Sequence, residues 1–176
     1  MASPVGHALV GLTSAAVVAR ATGTDGSLTL WAGAFVASGL PDLDMLLVAS
    51  GLDLEKAHRS WSHSLVALAG LVGAVYWLVP GVGSLDGGIL LAWLAAVVSH
   101  PLVDVVTTGP EMAGRGFGIP LFWPLSKRRF FVPRPIVETE DLDKCRSAGE
   151  VWRCLRPEVI RFSPLVPVAL LLILVA

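Results

Sequence analysis

Four histidines and a few aspartates stand where this sequence can least easily tolerate charge. His58-Arg59-Ser60-Trp61-Ser62-His63-Ser64 sets two imidazoles five residues apart, just ahead of a long apolar run. His7 opens the first apolar run, and His100 lies inside Val98-Ser99-His100-Pro101-Leu102-Val103-Asp104. Carboxylates keep the same company, as Leu40-Pro41-Asp42-Leu43-Asp44 and as Asp104. Such groups are costly to bury unless they pair with one another or hold a cation. The residue types therefore point to a divalent metal centre assembled from several segments.

Imidazole and carboxylate without thiolate suit Zn²⁺, Mn²⁺ or Fe²⁺, with zinc or manganese the expected occupant. The candidate ligands are His7, Asp42, His63, His100 and Asp104, with Asp44 and His58 completing the centre or acting as base. These candidates exceed the usual set for one ion. Either two ions share them, or one ion takes some while the rest orient ligands and move protons. Two ions about 4 Å apart would suit hydrolysis of a phosphoester by a metal-activated water. Arg59 and Arg128 are candidates for holding the substrate anion, although Lys127-Arg128-Arg129 reads equally well as a solvated turn or a positive-inside anchor.

Taken singly, each histidine reads as a helix cap or a buried hydrogen-bond partner, and Asp42 as a cap at a helix N-terminus. Three separate apolar segments, each carrying acids or imidazoles, favour the joint reading. The rival function is a non-catalytic membrane protein whose His/Asp cluster is structural and which binds a protein partner. An aspartyl phosphatase is excluded, because Asp42-Leu43-Asp44 lacks the preceding strand and the following threonine.

Spacing limits how the elements can present these groups. His100 and Asp104, four apart, share a helix face, but Pro101 is expected to bend or break that helix. His58 and His63 lie about 140° apart on an ideal helix, which puts His58 in a loop and His63 in the first turn of the next helix. Asp42 and Asp44 lie about 200° apart. Either the turn after Pro41 is irregular, or one aspartate is a ligand and the other stands behind it.

The supporting chain has 176 residues, 54% of them hydrophobic and 15% charged, with a mean hydropathy of +0.70. That balance points to a membrane-embedded or membrane-associated protein, with a very hydrophobic soluble helical domain as the alternative, and a net charge of −1 gives no sign of direct nucleic-acid binding. Ser3-Pro4 reads as an N-cap followed by a proline at the first helical position, starting a helix that runs to about Arg20. Apolar runs follow at 28–40, 45–52, 65–79 and 87–106, and a shorter one at 163–176 should pack on the others or dip into the bilayer. No basic segment precedes the first run, so the helices of the mature chain are expected to make any membrane insertion.

Ten of the thirteen Lys and Arg fall between Arg115 and Arg161. Residues 111–162 thus form a polar region, expected on the cytoplasmic side. It contains a proline-rich, extended aromatic loop over 116–131 and an acidic linker over 138–143. Ser147-Ala148-Gly149-Glu150 has capping-box spacing, which predicts a short amphipathic helix with Val151 and Leu155 on one face. Cys145 and Cys154 have no zinc-site spacing and read as thiols of a reducing compartment. The expected architecture is all-α: a multi-helix integral membrane bundle of four or five apolar helices, one domain over 1–176.

The ordered set Gly6-His7, Leu40-Pro41-Asp42-Leu43-Asp44, His58 to Ser64, Ser99 to Asp104 and Gly118-Ile119-Pro120-Leu121-Phe122-Trp123-Pro124-Leu125 resembles the YdjM-like family. The resemblance runs from about residue 6 to residue 130. Where that family commonly has His-Arg-Gly-Phe-Thr-His-Ser, this chain has His58-Arg59-Ser60-Trp61-Ser62-His63-Ser64, with the histidines and their spacing kept. The family is described as LexA-binding and inner-membrane-associated, with a predicted metal-dependent hydrolase activity. The resemblance therefore implies a multi-pass protein of the inner (plasma) membrane with a LexA-like protein partner. The motifs are also similar in style to all-helical zinc-dependent phospholipase C enzymes, which implies membrane lipid, and a lipid phosphodiester, as substrate.

Overall fold

The structure is a computed structural model that describes residues 3–46, 50, 51, 59, 61–137 and 147–174. Helix α1 (Pro4–Thr22) begins as the sequence indicates, with Ser3 Oγ accepting from Gly6 N and proline in the first turn. It ends at Gly23, whose φ of 67° is the left-handed cap that glycine adopts without a Cβ penalty. Helix α2 (Leu28–Gly39) is capped by Ser27. Pro41 lacks the N–H that would continue it, and the chain tightens into a 3-10 turn, Leu40–Asp44.

A second 3-10 turn, Trp61–His63, leads into α3 (Leu65–Leu78), capped by Ser64. His63 thus stands just ahead of that helix, not in its first turn. Helix α4 (Gly87–Thr107) runs unbroken through Pro101, so the expected break does not occur. Its far side is supported, because α1 and α2 both pack along it. Helix α5 (Ala148–Phe162) starts at Ser147, which accepts from Glu150 N. Its buried residues are Cys154, Glu158 and Phe162, and at helical spacing Val151 and Leu155 share that side, with Leu155 partly buried and Val151 exposed in the first turn. Helix α6 (Leu165–Leu174) lies against α1.

The core is built from small side chains. Ala15 and Ala19 of α1, Leu30, Ala34 and Ala37 of α2, and Ala92, Ala96 and Val97 of α4 are buried together. Small residues let backbones approach closely, and that contact holds apolar helices together where lipid competes for every greasy surface. At Gly33 a Cβ would meet the Trp93 ring at 2.1 Å, and the indole there donates to Leu30 O. Among the described residues, two helices, α1 and α4, are long and apolar enough to cross a membrane.

The loop after α4 is irregular but tied down. A helical turn (Pro110–Met112) and a π-turn (Ala113–Phe117) come first, so extended chain starts later than the sequence suggested. Ile119 and Phe130 then pair as an isolated antiparallel bridge, and no strand occurs among the described residues. Ser64 Oγ donates to Trp123 O, and Leu65 N donates to Leu121 O. The loop therefore closes over the start of α3, next to His63. The acidic linker lies outside the described residues.

Candidate metal centre

Four elements deliver the site. The first turn of α1 brings His7, the turn after α2 brings Asp42 and Asp44, the turn before α3 brings His63, and α4 brings His100 and Asp104 on successive turns. His63 Nε2 lies 3.2 Å from Asp104 Oδ2 and 3.7 Å from Asp42 Oδ1. His100 Nε2 lies 3.3 Å from Asp42 Oδ1 and 3.7 Å from Asp104 Oδ2. Ligands about 2.0–2.2 Å from a tetrahedral ion lie about 3.3–3.6 Å from one another, and the four separations fall close to that range.

Hydrogen bonding supports the fit. His100 Nδ1 donates to Ser38 O at 2.6 Å, since a carbonyl can only accept. In the neutral ring Nε2 is then a bare lone pair. It is buried without a hydrogen-bond partner while facing two carboxylate oxygens. Lone pairs so placed repel unless a proton or a cation lies between them. His63 is oriented in the same way from behind: its Nδ1 lies 3.0 Å from Ser62 Oγ and 3.4 Å from Asp44 Oδ2, and Ser62 Oγ donates to Asp44. A carboxylate behind a ligating imidazole fixes its tautomer and raises its basicity.

Charge leads to the same conclusion. Among the described residues, Asp42, Asp44 and Asp104 converge with one permanent cation, Arg59, whose Nη2 donates to Asp104 Oδ1 at 3.0 Å. A single divalent ion would balance the remainder with the imidazoles neutral. Burial alone would push the His63 imidazolium down. The carboxylates of Asp104, Asp42 and Asp44 outweigh it and raise His63 to about 10. Burial likewise opposes the Asp42 carboxylate, but contacts from His100 and His63 hold it below its usual range.

The described residues form two ligand sets, His63-His100-Asp104 and His7-Asp42-His100. His100 belongs to both but has one nitrogen to offer, so the sets compete for it. His7 stacks face to face on His100, with centroids 3.5 Å apart. Its Nε2 lies 3.6 Å from Asp104 Oδ1, and its buried Nδ1 has no hydrogen-bond partner.

Of the other candidates, His58 lies outside the described residues. Arg59 has its guanidinium fully buried, donating to Thr108 Oγ1, Phe117 O and Asp104. Its backbone adopts φ +55°, and its N–H donates to Asp44. That places Arg59 inside the protein framework. Arg128 is exposed, over the Phe130 ring. Asp44, a candidate base, stands behind His63.

Three contributors carried no obvious sequence signal. Ser38 acts through its carbonyl, Thr108 anchors Arg59, and Glu158 reaches across from α5. Both Glu158 oxygens accept from Ser3 N, at 2.7 and 2.8 Å, and Ser3 Oγ donates to Oε1. The α1 terminus that carries His7 is thereby fixed to α5. The α5 spacing 154, 158, 162 could have exposed Glu158 as a carboxylate on an inner face.

The comparisons with known proteins agree with the resemblance read from the motifs. A family described as YdjM inner membrane protein matches residues 1–176. Inner membrane protein YbcI of Escherichia coli (strain K12) is 33% identical over 114 residues, which is 62% of this chain and 61% of that protein. The chain thus aligns with less than two thirds of the length of that relative. No solved structure matches. Matched over its whole length, the chain belongs to the YdjM family of inner membrane proteins.

Proposed function

We propose that this protein is a metal-dependent hydrolase of the inner membrane that cleaves a phosphoester, using one divalent ion, zinc or manganese, held by Asp42, His63, His100 and Asp104. The observation that carries the proposal is the convergence of these four donors from three separate elements, with each imidazole Nε2 within 3.7 Å of both carboxylates. A bound ion would supply Lewis acidity and a water acidified toward neutral pH. Asp104 would offer Oδ2 to the ion, with Oδ1 held by Arg59. Asp44 and Ser62 keep His63 turned so that Nε2 faces inward. His7, which lines the opening beside Asp42, is the residue suited to accept a proton from the attacking water and return it to the leaving group. Arg59 acts as a positioning residue, since a fully buried guanidinium with three protein partners does not reach a substrate. Two apolar helices of spanning length support a multi-pass topology, and the basic residues of 111–162 support placing that region toward the cytoplasm.

A second reading is a closed structural ion, with the charged C-terminal third recruiting a LexA-like protein partner. The depth of the centre favours it: the side chains of His63, His100, Asp44 and Asp104 are each at most 3% exposed. Catalytic ions keep an exchangeable position and structural ones do not. The deciding experiment measures metal in detergent-purified protein by elemental mass spectrometry, beside His63→Ala and His100→Ala, followed by a zinc-dependent phosphodiester assay. About one equivalent of metal lost in both variants, together with turnover, supports the hydrolase. Metal without turnover supports the structural reading. No metal in a folded protein overturns both.

A further inference from the structure

Helix α5 has two sides of different chemistry. Inward, Phe162 packs in one cluster with Val103 of α4 and with Leu9 and Val10 of α1, while the Glu158 carboxylate holds Ser3 at the start of α1. Outward, Trp152, Arg156 and Ile160 follow one another at every fourth residue and so share a face. Trp152 and Ile160 are each more than half exposed. Arg153 borders this stripe and is exposed, as Arg156 is. Among the described residues, neither arginine pairs with a carboxylate. The two acids of α5 stand elsewhere, Glu150 in the first turn and Glu158 on the inner side.

The outer surface changes character across Ser163 and Pro164. Helix α6 follows directly and lies against α1, and its exposed residues include Val166, Val168, Leu170 and Leu171. An aliphatic outer side suits lipid tails. Arginine with tryptophan suits the headgroup layer, where a guanidinium meets phosphate and an indole keeps one edge wet. The change falls at the end of the bundle where α1, a helix of spanning length, begins.

We infer that the outer side of α5 is a binding surface for anionic phospholipid headgroups. The helix lies in the plane of the membrane surface, with Arg153 and Arg156 on the phosphates and Trp152 and Ile160 sunk beside the upper part of the chains. This surface faces away from the tie to the His7 terminus, so it is separate from the metal centre and stands whether or not that centre is catalytic. Charge complementarity selects the lipid, since two unpaired cations gain from an anionic headgroup and little from a zwitterionic one. An acidic protein would meet the same charges, but the aliphatic side of α6 that continues the surface favours lipid.

The test titrates the detergent-purified full chain with phosphatidylglycerol and, separately, with phosphatidylethanolamine, and reads each bound lipid by native mass spectrometry. The wild-type chain should bind phosphatidylglycerol the more tightly. An arginine at a headgroup layer contributes about fivefold. Arg156→Gln should therefore weaken phosphatidylglycerol about fivefold, and Arg153→Gln combined with Arg156→Gln about twenty-fivefold, with phosphatidylethanolamine unchanged. Arg20→Gln removes the same charge from an exposed position in the last turn of α1 and should change neither lipid. Every substituted position is exposed, so the fold should persist, and equal thermal unfolding checks it. Equal binding of the two lipids by the wild-type chain would overturn the inference. So would a preference that survives the double substitution, which would leave this side of α5 to an acidic protein, or one that falls as far with Arg20→Gln, which would make it an effect of overall charge.

Discussion

Helices α3 and α4 are neighbours in the chain and in space, both apolar, yet the molecule uses them in opposite ways. Of the residues in α3, Leu68 is buried and the rest are partly or fully exposed. Helix α4 buries a stripe at every fourth residue, Gly88, Ala92, Ala96, His100 and Asp104. Its upper part is small enough for α1 and α2 to approach, and its lower part carries the site. Greasiness does not distinguish the two helices. In a bilayer an apolar side chain gains little by leaving lipid, so close packing and polar pairing decide which helix becomes central. The contrast predicts that substitutions in α4 and its partners are damaging and that those in α3 are mild.

The largest effect should come from Asp104→Ala. It leaves the Arg59 guanidinium buried without its carboxylate, which costs about 3–5 kcal/mol, and it removes a proposed metal ligand. Thermal unfolding in detergent and metal analysis should both report the loss. Leu71→Ala in α3 should cost under about 1 kcal/mol, as exposed sites generally do. Equal destabilisation by the two would break the comparison.

Next in size is the pH response of the centre. His63 is raised from its ordinary 6.5 to about 10, so its proton stabilises the metal-free fold. That contribution is complete below pH 6.5 and is lost as pH climbs through about 10. A bound ion must displace the same proton, so metal affinity should rise with pH across this window. Metal-free protein should lose thermal stability there while metal-loaded protein holds its own. Parallel loss in both forms would show that His63 is not at the ion.

A matched pair of glycines sharpens the contrast. In α1, a Cβ at Gly11 would lie 2.4 Å from Ser38 Cβ, beside the carbonyl that holds His100. Gly11→Ala should therefore cost about 1–3 kcal/mol by overpacking and should weaken metal binding. In α3, a Cβ at Gly73 would meet nothing within 4 Å. Gly73→Ala should stabilise by about 0.4–1 kcal/mol, because alanine loses less backbone freedom in a helix. Chemical or thermal unfolding of the two variants should give opposite signs.

The smallest effect is expected at Arg128. Its exposed guanidinium sits 5.2 Å from the Phe130 ring, a contact worth about 0.5–1 kcal/mol at the surface. Arg128→Ala should leave metal content unchanged. A large fall in metal would tie the loop to the centre more closely than its contacts indicate.

Much of the site was legible from residue type and local periodicity. His100 and Asp104 share a face because four residues make about one turn, and that holds wherever the helix is placed. Of the two alternatives for Asp42 and Asp44, the irregular turn is the one present, as the 3-10 turn Leu40–Asp44; in it Asp44 stands behind His63 Nδ1 and Asp42 faces Nε2. Pro101 does not break its helix, because a proline removes one hydrogen bond while the packing of α1 and α2 supports the helix around it. Arg59 next to a histidine looked available for a substrate. Its destination depended on Asp104, Thr108 and Phe117, which lie 45 to 58 positions away in sequence.

The sequence by itself determined an all-helical, membrane-suited chain whose rare imidazoles and carboxylates have to meet, since charge left alone in apolar surroundings is too costly. Tertiary structure alone decided which oxygen of Asp104 faces the centre, which aspartate opens to the outside, and that Glu158 anchors the α1 terminus carrying His7. Local spacing fixes where a side chain points around its own helix axis. Only packing between helices fixes what it finds there.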